Sequence, residues 1–306
     1  MNQSKDYFII LDKPPHMTSQ TVVNKIKRKE KLNKVGHNGT LDPETTGVML
    51  VACNRATRLL QYLENEDKTY ITTILFGINT DTLDVFGNTL DEISMDINDD
   101  MINDAINKLL LIEEQIPPIV SAVKVNGRKL MDYHRKNIDI EIKPRKTRTF
   151  EINKLSNLRF IHNHYEIDLE LKVAKGFYIR SFARDLGELL GGYGIVKALR
   201  RTKAGEFDIS NAVTLDDVLN ENYKRYEIDD IFTYPVININ DRILKFVQNG
   251  VTLYDFNLIK DCNYKNLNNL DRFYLDYNNK HIAIYHKVDK DYRPIFIFSG
   301  ENDGNN

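Results

Sequence analysis

Residues 36–47 restrict the fold of this chain more than any other segment. They read Gly-His-Asn-Gly-Thr-Leu-Asp-Pro-Glu-Thr-Thr-Gly and precede the apolar run 48–52. Glycine permits positive φ and close approach of the backbone to a ligand, and an Asp-Pro pair restricts the backbone of both its residues. We therefore predict a rigid loop that presents His37 and Asp42 and is anchored by a buried strand or helix. From the residues alone, Asp42 is most simply a turn former or a helix N-cap followed by Pro43.

Length and composition are those of an ordinary soluble protein. The 306 residues suffice for one large domain, or one large and one small, and 42% are apolar and 28% charged. No run of about eighteen apolar residues predicts a membrane span, and the N-terminus lacks the apolar stretch of a signal peptide. Cys53 and Cys262 are too few and too far apart to indicate a disulfide framework or a zinc site. We expect a cytoplasmic protein without a metal.

The net charge of −2 argues against a nucleic-acid partner, but the charges are segregated along the chain. A basic run precedes the glycine-rich loop and contains Lys25, Lys27, Arg28, Lys29, Lys31 and Lys34. A second contains Lys124, Arg128, Lys129, Arg135, Lys136, Lys143, Arg145, Lys146 and Arg148. Between them, residues 81–104 are rich in aspartate. Each run alone is compatible with a solvated surface, but together they favour a polyanion channel, since phosphate binding requires local positive charge.

Hydrophobic periodicity changes near Pro235. Before it, alternation predicts strands at 7–11, 68–76, 165–173 and 194–201. A helical period predicts helices at 21–31, 55–64 and 98–111, a fourth helix that ends at Gly191 and a fifth that begins at Asp216. The basic insertion 116–148 predicts a mobile arm. After Pro235, short strands are predicted at 243–247, 271–277, 282–287 and 295–298. We therefore predict a domain at 1–235, a small β-rich domain at 236–299 and a disordered tail at 300–306.

Six ordered blocks of the sequence resemble the bacterial tRNA pseudouridine synthase TruB family. They are Leu11–Pro14, Gly36–Gly47, Gly77–Asp84, Pro118–Lys124, Lys175–Arg180 and Leu199–Thr202. The resemblance implies the α+β pseudouridine synthase fold, a mixed and mostly antiparallel sheet with flanking helices, and a small PUA-like C-terminal domain. It also implies isomerisation of uridine 55 in the T-loop of tRNA to pseudouridine, by a monomer that flips the base out and requires no cofactor.

The resemblance also implies roles for individual residues. Four are catalytic: Asp42 as nucleophile, Arg180 as its charge partner, Tyr70 as a ring stacked on the target base and Tyr178 as an aid to proton transfer at carbon 5. The others bind the substrate: His37 near the vacated position, Lys13 ordering the catalytic loop or contacting phosphate, Leu199 as an apolar wall, and Lys124, Arg128 and Lys129 on phosphates of the T-stem. For a tyrosine in a strand, the alternative is packing in the core.

Two other functions are compatible with parts of the sequence. A non-catalytic tRNA-binding or tRNA-folding chaperone with the same fold is one, although such a protein has no need for Asp42 or Arg180. A metal-dependent nuclease that uses Asp81, Asp84 and the pair His162 and His164 is the other, on the weak signal of an acidic loop and a His-x-His motif.

Overall fold

A mixed sheet of ten strands lies at the centre of the protein. The computed structural model describes residues 6–63, 67–264, 267 and 270–298. The strands up to residue 214 are β1 (Phe8–Lys13), β2 (Val35–Asn38), β3 (Thr46–Cys53), β4 (Lys68–Phe76), β5 (Ile78–Thr80), β6 (Thr89–Glu92), β7 (Glu114–Gln115), β8 (Lys124–Val125), β9 (Arg128–Lys129), β10 (Arg145–Lys146), β11 (Thr149–Lys154), β12 (Arg159–Ile161), β13 (His164–Val173), β14 (Gly194–Ala204), β15 (Phe207–Asp208) and β16 (Val213–Thr214). The helices are α1 (Ser19–Lys29), α2 (Asp99–Leu109), α3 (Leu130–His134), α4 (Ile179–Leu189), α5 (Leu215–Leu219) and α6 (Ile228–Ile231), with 3-10 helices at Asn54–Leu63 and Ile209–Asn211.

The order of the strands in this main sheet is β11-β13-β4-β14-β3-β1-β16, and β12, β15 and β2 pair beside it. Most neighbours along this path are antiparallel, whereas β14–β3 and β1–β16 are parallel. Helices α1, α2 and α4 contribute to the larger hydrophobic core on one face of the sheet. The predicted fold class, a mixed and mostly antiparallel sheet with flanking helices, is confirmed.

Strand β1 is apolar at successive positions because both of its faces are buried. Ile9 and Leu11 belong to the larger core, and Phe8 and Ile10 belong to a second core on the other side. Side chains alternate across a strand, so a strand covered on both faces is apolar throughout. This central position fixes Lys13, at the end of β1, next to the glycine-rich loop.

The predicted helices begin at polar capping residues. Thr18 caps α1 and Asn98 caps α2, each by accepting a hydrogen bond from a backbone N–H three residues further on. In α1 the apolar residues Val22, Val23 and Ile26 are buried, as the helical spacing predicted. None of the helices in the described part of the chain is long and apolar enough to cross a membrane.

A second sheet begins at Val236 and has its own core. Its strands, in the spatial order β17-β19-β20-β21-β18, are β17 (Val236–Asn238), β18 (Leu253–Tyr254), β19 (Arg272–Tyr277), β20 (Lys280–Val288) and β21 (Asp291–Ile297). The remaining elements are α7 (Asp241–Gln248) and a π-helix at Asn257–Asp261. The boundary near Pro235 and the PUA-like identity stay predictions, and the tail predicted at 300–306 lies outside the described residues.

The prediction of a strand at 243–247 is wrong, because these residues lie in α7. Asn240 caps this helix by accepting a hydrogen bond from the Ile243 N–H. Ile243 and Val247 are buried four residues apart, on one face of the helix. A short apolar run fits both periods, and here the capping asparagine is the residue that distinguishes them.

Candidate active site

Residues 39–45 connect β2 to β3 and carry Asp42. Leu41 is buried, and its backbone N–H and carbonyl both bond to the Ser19 hydroxyl, at 3.0 and 3.2 Å. The Asp42 carbonyl accepts a hydrogen bond from the Thr45 N–H at 3.1 Å, which closes a tight turn with Pro43 at its second position. The turn expected from the residues is therefore present, and the rigid loop holds the Asp42 side chain at 45% exposure.

Lys13, at the end of β1, orders this loop. Its fully buried ammonium donates to the carbonyls of Pro14, Met17 and Pro43 at 2.7, 2.6 and 2.9 Å. Burial lowers the pKa of Lys13 to about 8, and the charges of Asp42 and Glu44 oppose that shift. Of the two roles expected for Lys13, the geometry supports ordering of the loop; a buried ammonium with three carbonyl partners is not placed to bind phosphate.

Arg180 lies in the first turn of α4 and joins three segments. Its Nη2 lies 2.9 Å from Asp42 Oδ2 and 3.0 Å from the Val120 carbonyl, and its Nη1 donates to the Thr82 carbonyl at 2.9 Å. The Arg180 side chain is only 7% exposed. A cation gains nothing from the dipole at a helix N-terminus, so these oxygen partners hold it there. The predicted charge pair of Asp42 and Arg180 is thus brought together.

The Asp42 carboxylate faces an open cleft of about 640 Å³. Apolar and polar residues from β4, β14 and four loops line it, among them Ile71, Thr73, Phe86, Val120, Lys197 and Leu199. Leu199 lies on the wall of this cleft, and its role against the substrate stays a prediction. The arrangement offers a carboxylate held by a buried cation at the edge of a concave surface large enough for a nucleotide, a combination suited to nucleophilic chemistry.

The two tyrosines with predicted catalytic roles have different environments. Tyr178 immediately precedes α4 and is half-buried; burial raises its pKa, and the Ser121 hydroxyl and Arg180 oppose this, so the phenol is neutral at pH 7. Tyr70 is 9% exposed, belongs to the larger core and is not among the residues that line the cleft. The position of Tyr70 fits the packing alternative, and its stacking role stays a prediction.

His37 lies within a strand rather than outside regular structure, contrary to our interpretation of its flanking glycines. It is half-buried in β2 and pairs with Val51 of β3. Burial lowers the pKa of His37, and the positive charge of Arg201 lowers it further, so the imidazole is neutral at pH 7. The role of His37 near the vacated position of the base stays a prediction.

The three basic residues of the arm are presented by a short hairpin. Strands β8 and β9 are joined by Asn126 and Gly127, both at positive φ, which is the geometry of a two-residue hairpin turn. Lys124 lies opposite Lys129 in the hairpin register, and the side chains of Lys124, Arg128 and Lys129 are all exposed. At the base of the arm, β10 pairs with β7. The predicted mobility of the arm stays a prediction.

The carboxylates proposed for a nuclease organise a loop instead. Asp84 Oδ1 accepts from the Thr82 hydroxyl and the Phe86 N–H, and Asp81 accepts from Asn88. His164 pairs with Glu92 at 3.3 Å. Within the described ranges, no group of three or more His, Cys, Asp and Glu side chains is arranged to hold a metal ion.

One residue that builds the site was not predicted from the sequence, and one glycine of the predicted loop has a different role. Gln115 holds the start of α4, because its amide both donates to the Tyr178 carbonyl and accepts from the Tyr178 N–H, at 3.0 and 2.8 Å. Gly47 has φ +114, and a Cβ there would lie 2.1 Å from the Arg201 carbonyl oxygen. This glycine serves the parallel contact of β3 with β14 and not the approach of a ligand. A glutamine in a two-residue strand carries no recognisable sequence signal.

The chain matches known proteins over most of its length. Residues 27–179 match the TruB family pseudouridylate synthase N-terminal domain, and residues 180–243 match the tRNA pseudouridylate synthase B C-terminal domain. The tRNA pseudouridine synthase B of Lactobacillus acidophilus is 36% identical over 298 residues, which cover 94% of this chain and 97% of the relative. That of Ureaplasma urealyticum is 40% identical over 211 residues, or 69% of this chain and 91% of the relative.

Solved structures share the fold. The archaeal box H/ACA sRNP Nop10–Cbf5 complex aligns with a TM-score of 0.63 and 24% identity over 93% of this chain and 79% of the other. An H/ACA RNP bound to a substrate RNA aligns with a TM-score of 0.65 and 21% identity over 97% of this chain and 86% of the other. With the family matches and the relatives, these findings lead to one conclusion: the chain belongs to the TruB family of pseudouridylate synthases, which are isomerases.

Proposed function

We propose that this chain isomerises uridine 55 in the T-loop of tRNA to pseudouridine, with Asp42 as the nucleophile. The observation that carries the proposal is the Asp42–Arg180 pair, in which a buried guanidinium holds an accessible carboxylate at the edge of a cleft. The relatives named tRNA pseudouridine synthase B support tRNA as the substrate. A chaperone of the same fold has no need for this pair.

The chemistry balances without a cofactor. We propose that Asp42 forms a bond to ribose carbon 1′ as the bond from that carbon to uracil N1 breaks. The alternative route begins with abstraction of a proton by Asp42 and passes through a glycal-type intermediate. The detached uracil rotates in the cleft, carbon 5 bonds to carbon 1′, and the carboxylate leaves. We propose that the proton of carbon 5 is then lost with the assistance of Tyr178, and N1 gains a proton. The product is an isomer of the substrate, so the reaction requires no oxidant, no metal and no activation of a leaving group by phosphate.

A uridine in a folded T-loop is stacked, so it must leave the stack before it reaches Asp42. We propose that His37 lies near the position that the base vacates and that Tyr70 contacts the flipped base. Leu199 supplies the apolar wall of the cleft. We infer that the enzyme acts on the T-arm as a cytoplasmic monomer.

The site of modification is tested with a T-arm stem-loop in which only uridine 55 carries tritium at carbon 5. We expect release of tritium to water without any added cofactor and in the presence of EDTA, because the proposed steps need no metal. A matched stem-loop with cytidine at position 55 and the label in another uridine should release none. Release from the second RNA, or from neither, would contradict the proposed function.

We further propose that the arm binds phosphates of the T-stem through Lys124, Arg128 and Lys129. Replacing all three by Ala should weaken RNA binding and reduce the slope of log K against log salt by about 2 to 3, because three fewer phosphate charges are neutralised. The measurement is RNA affinity over a salt series. The control replaces the exposed Lys108, Lys280 and Lys290, which lie elsewhere on the described surface. Equal slopes for the two triple variants would exclude the arm as the phosphate clamp.

A further inference from the structure

Phe86 is an aromatic residue on the wall of the cleft that none of the proposed steps uses. It is 62% exposed, although it lines the same cleft as Asp42 and Arg180. We propose that Phe86 and Lys197 form a second nucleotide subsite, in which the ring stacks on the base next to the target uridine and the ammonium contacts that nucleotide's phosphate. This inference rests on the proposed function and adds to it a pair of residues that binds the flanking nucleotide.

The loop that carries Phe86 is held rigidly. The Phe86 N–H donates to Asp84 Oδ1 at 3.0 Å, and the Gly87 N–H donates to the Asp84 carbonyl at 3.3 Å. The Thr80 hydroxyl donates to the same carbonyl at 2.7 Å. A Cβ at Gly87 would lie 2.2 Å from the Thr82 hydroxyl oxygen, so the backbone turns closely on itself. The backbone that carries the ring is therefore fixed before binding, which reduces the entropic cost of a contact with a ligand.

The same loop is bonded to the catalytic pair. The carbonyl of Thr82 accepts from Arg180 Nη1, and Arg180 Nη2 contacts Asp42. The position of the Phe86 ring is therefore linked to the reacting carboxylate through a short series of hydrogen bonds. A base stacked on this ring would bear a defined relation to the nucleotide at Asp42.

Lys197 lies beside this loop on the sheet. Val196, its neighbour in β14, donates to the Leu83 carbonyl at 3.1 Å and accepts from the Val85 N–H at 3.0 Å. Lys197 also lines the cleft and pairs with the buried carboxylate of Glu166, which orients its partly exposed side chain. An exposed ring and a cation on the wall of the same cleft are the combination that binds single-stranded nucleotides, the ring through the base and the cation through the backbone.

Exposure alone does not distinguish Phe86 from an ordinary surface residue, since isolated apolar side chains are common on protein surfaces. Leu90 provides the comparison. It is 63% exposed on β6, the strand that follows this loop, and it is not among the residues that line the cleft. Position on the cleft wall and rigid attachment to Arg180 set Phe86 apart.

The test measures single-turnover tritium release and RNA affinity for the full chain on the T-arm stem-loop. Phe86→Ala should weaken binding by about tenfold to a hundredfold, the range found for loss of one base–aromatic stack, and Leu90→Ala should not. Phe86→Tyr should bind like the unmodified protein, because it keeps the ring. Phe86→Leu should resemble Phe86→Ala, because it keeps apolar bulk but no aromatic face. Thermal unfolding confirms that each variant is folded.

The stem-loop then loses the base of one flanking nucleotide at a time. One abasic position should weaken binding to the unmodified protein and have no further effect on Phe86→Ala. On the stem-loop in which that nucleotide is intact, Lys197→Arg should bind RNA as tightly as the unmodified protein. The double variant Lys197→Met with Glu166→Met leaves no unpaired buried carboxylate and should bind RNA more weakly. Equal binding by Phe86→Ala and Leu90→Ala, or full affinity of Phe86→Leu, would overturn the inference. Absence of tritium release from the unmodified protein would instead overturn the proposed function.

Discussion

Replacing Asp42 by Asn is expected to lower the rate of tritium release by at least about 10⁴-fold, the scale of loss when a covalent nucleophile is removed. The amide has nearly the shape of the carboxylate and retains an oxygen that accepts from Arg180, but it is neutral and cannot attack carbon 1′. RNA affinity should stay within about threefold, because Asp42 contributes to the reaction and not to the phosphate contacts. Single-turnover release and binding of the T-arm stem-loop measure the two quantities separately.

A neighbouring acid serves as the control for this variant. Glu44 lies in the same turn, lines the same cleft and pairs with His16 at 2.6 Å. Glu44→Gln should retain release within about tenfold of the unmodified protein, because this carboxylate is not bonded to Arg180 and has no proposed covalent role. Turnover by Asp42→Asn at the unmodified rate would show that Asp42 is not the nucleophile.

Replacing Arg180 by Met should reduce both activity and stability. The variant leaves the carbonyls of Thr82 and Val120 without their donor and removes the cation that positions Asp42. We expect a loss of free energy of unfolding of about 2–5 kcal/mol, because two carbonyls each lose a hydrogen bond from a charged donor. Tritium release should fall by at least about 10²- to 10³-fold, because the carboxylate is no longer held. Urea denaturation and single-turnover assays measure these effects.

Arg242 is a matched control for Arg180. Each is the second residue of its helix, but Arg242 is exposed and pairs with Asp261 at 3.3 Å. Arg242→Met should change the free energy of unfolding by less than about 1 kcal/mol, because an exposed ion pair contributes little. If Arg180→Met were as stable and active as Arg242→Met, the three contacts of Arg180 would not hold the site.

The sequence predicted the elements whose burial follows a simple period. β4 and β13 alternate, and α1 has a cap and a helical spacing of apolar residues, so each was recognised from local pattern alone. α7 was missed because its short apolar run fits two periods. His37 was interpreted from its neighbouring glycines, whereas pairing of β2 with β3 decides its environment. Strand pairing depends on distant residues and is not visible in a local window.

The sequence by itself determined that a rigid Asp-Pro turn would present Asp42, because glycine and proline restrict the backbone wherever they occur. Only the tertiary structure decided what holds that turn. The Lys13 ammonium binds three carbonyls, and Arg180 bridges Asp42 to the carbonyls of Thr82 and Val120. Every residue has a carbonyl, so no residue type marks which ones will be used. The fold alone brings these oxygens to the two cations, and in doing so it places the exposed ring of Phe86 on the wall of the cleft.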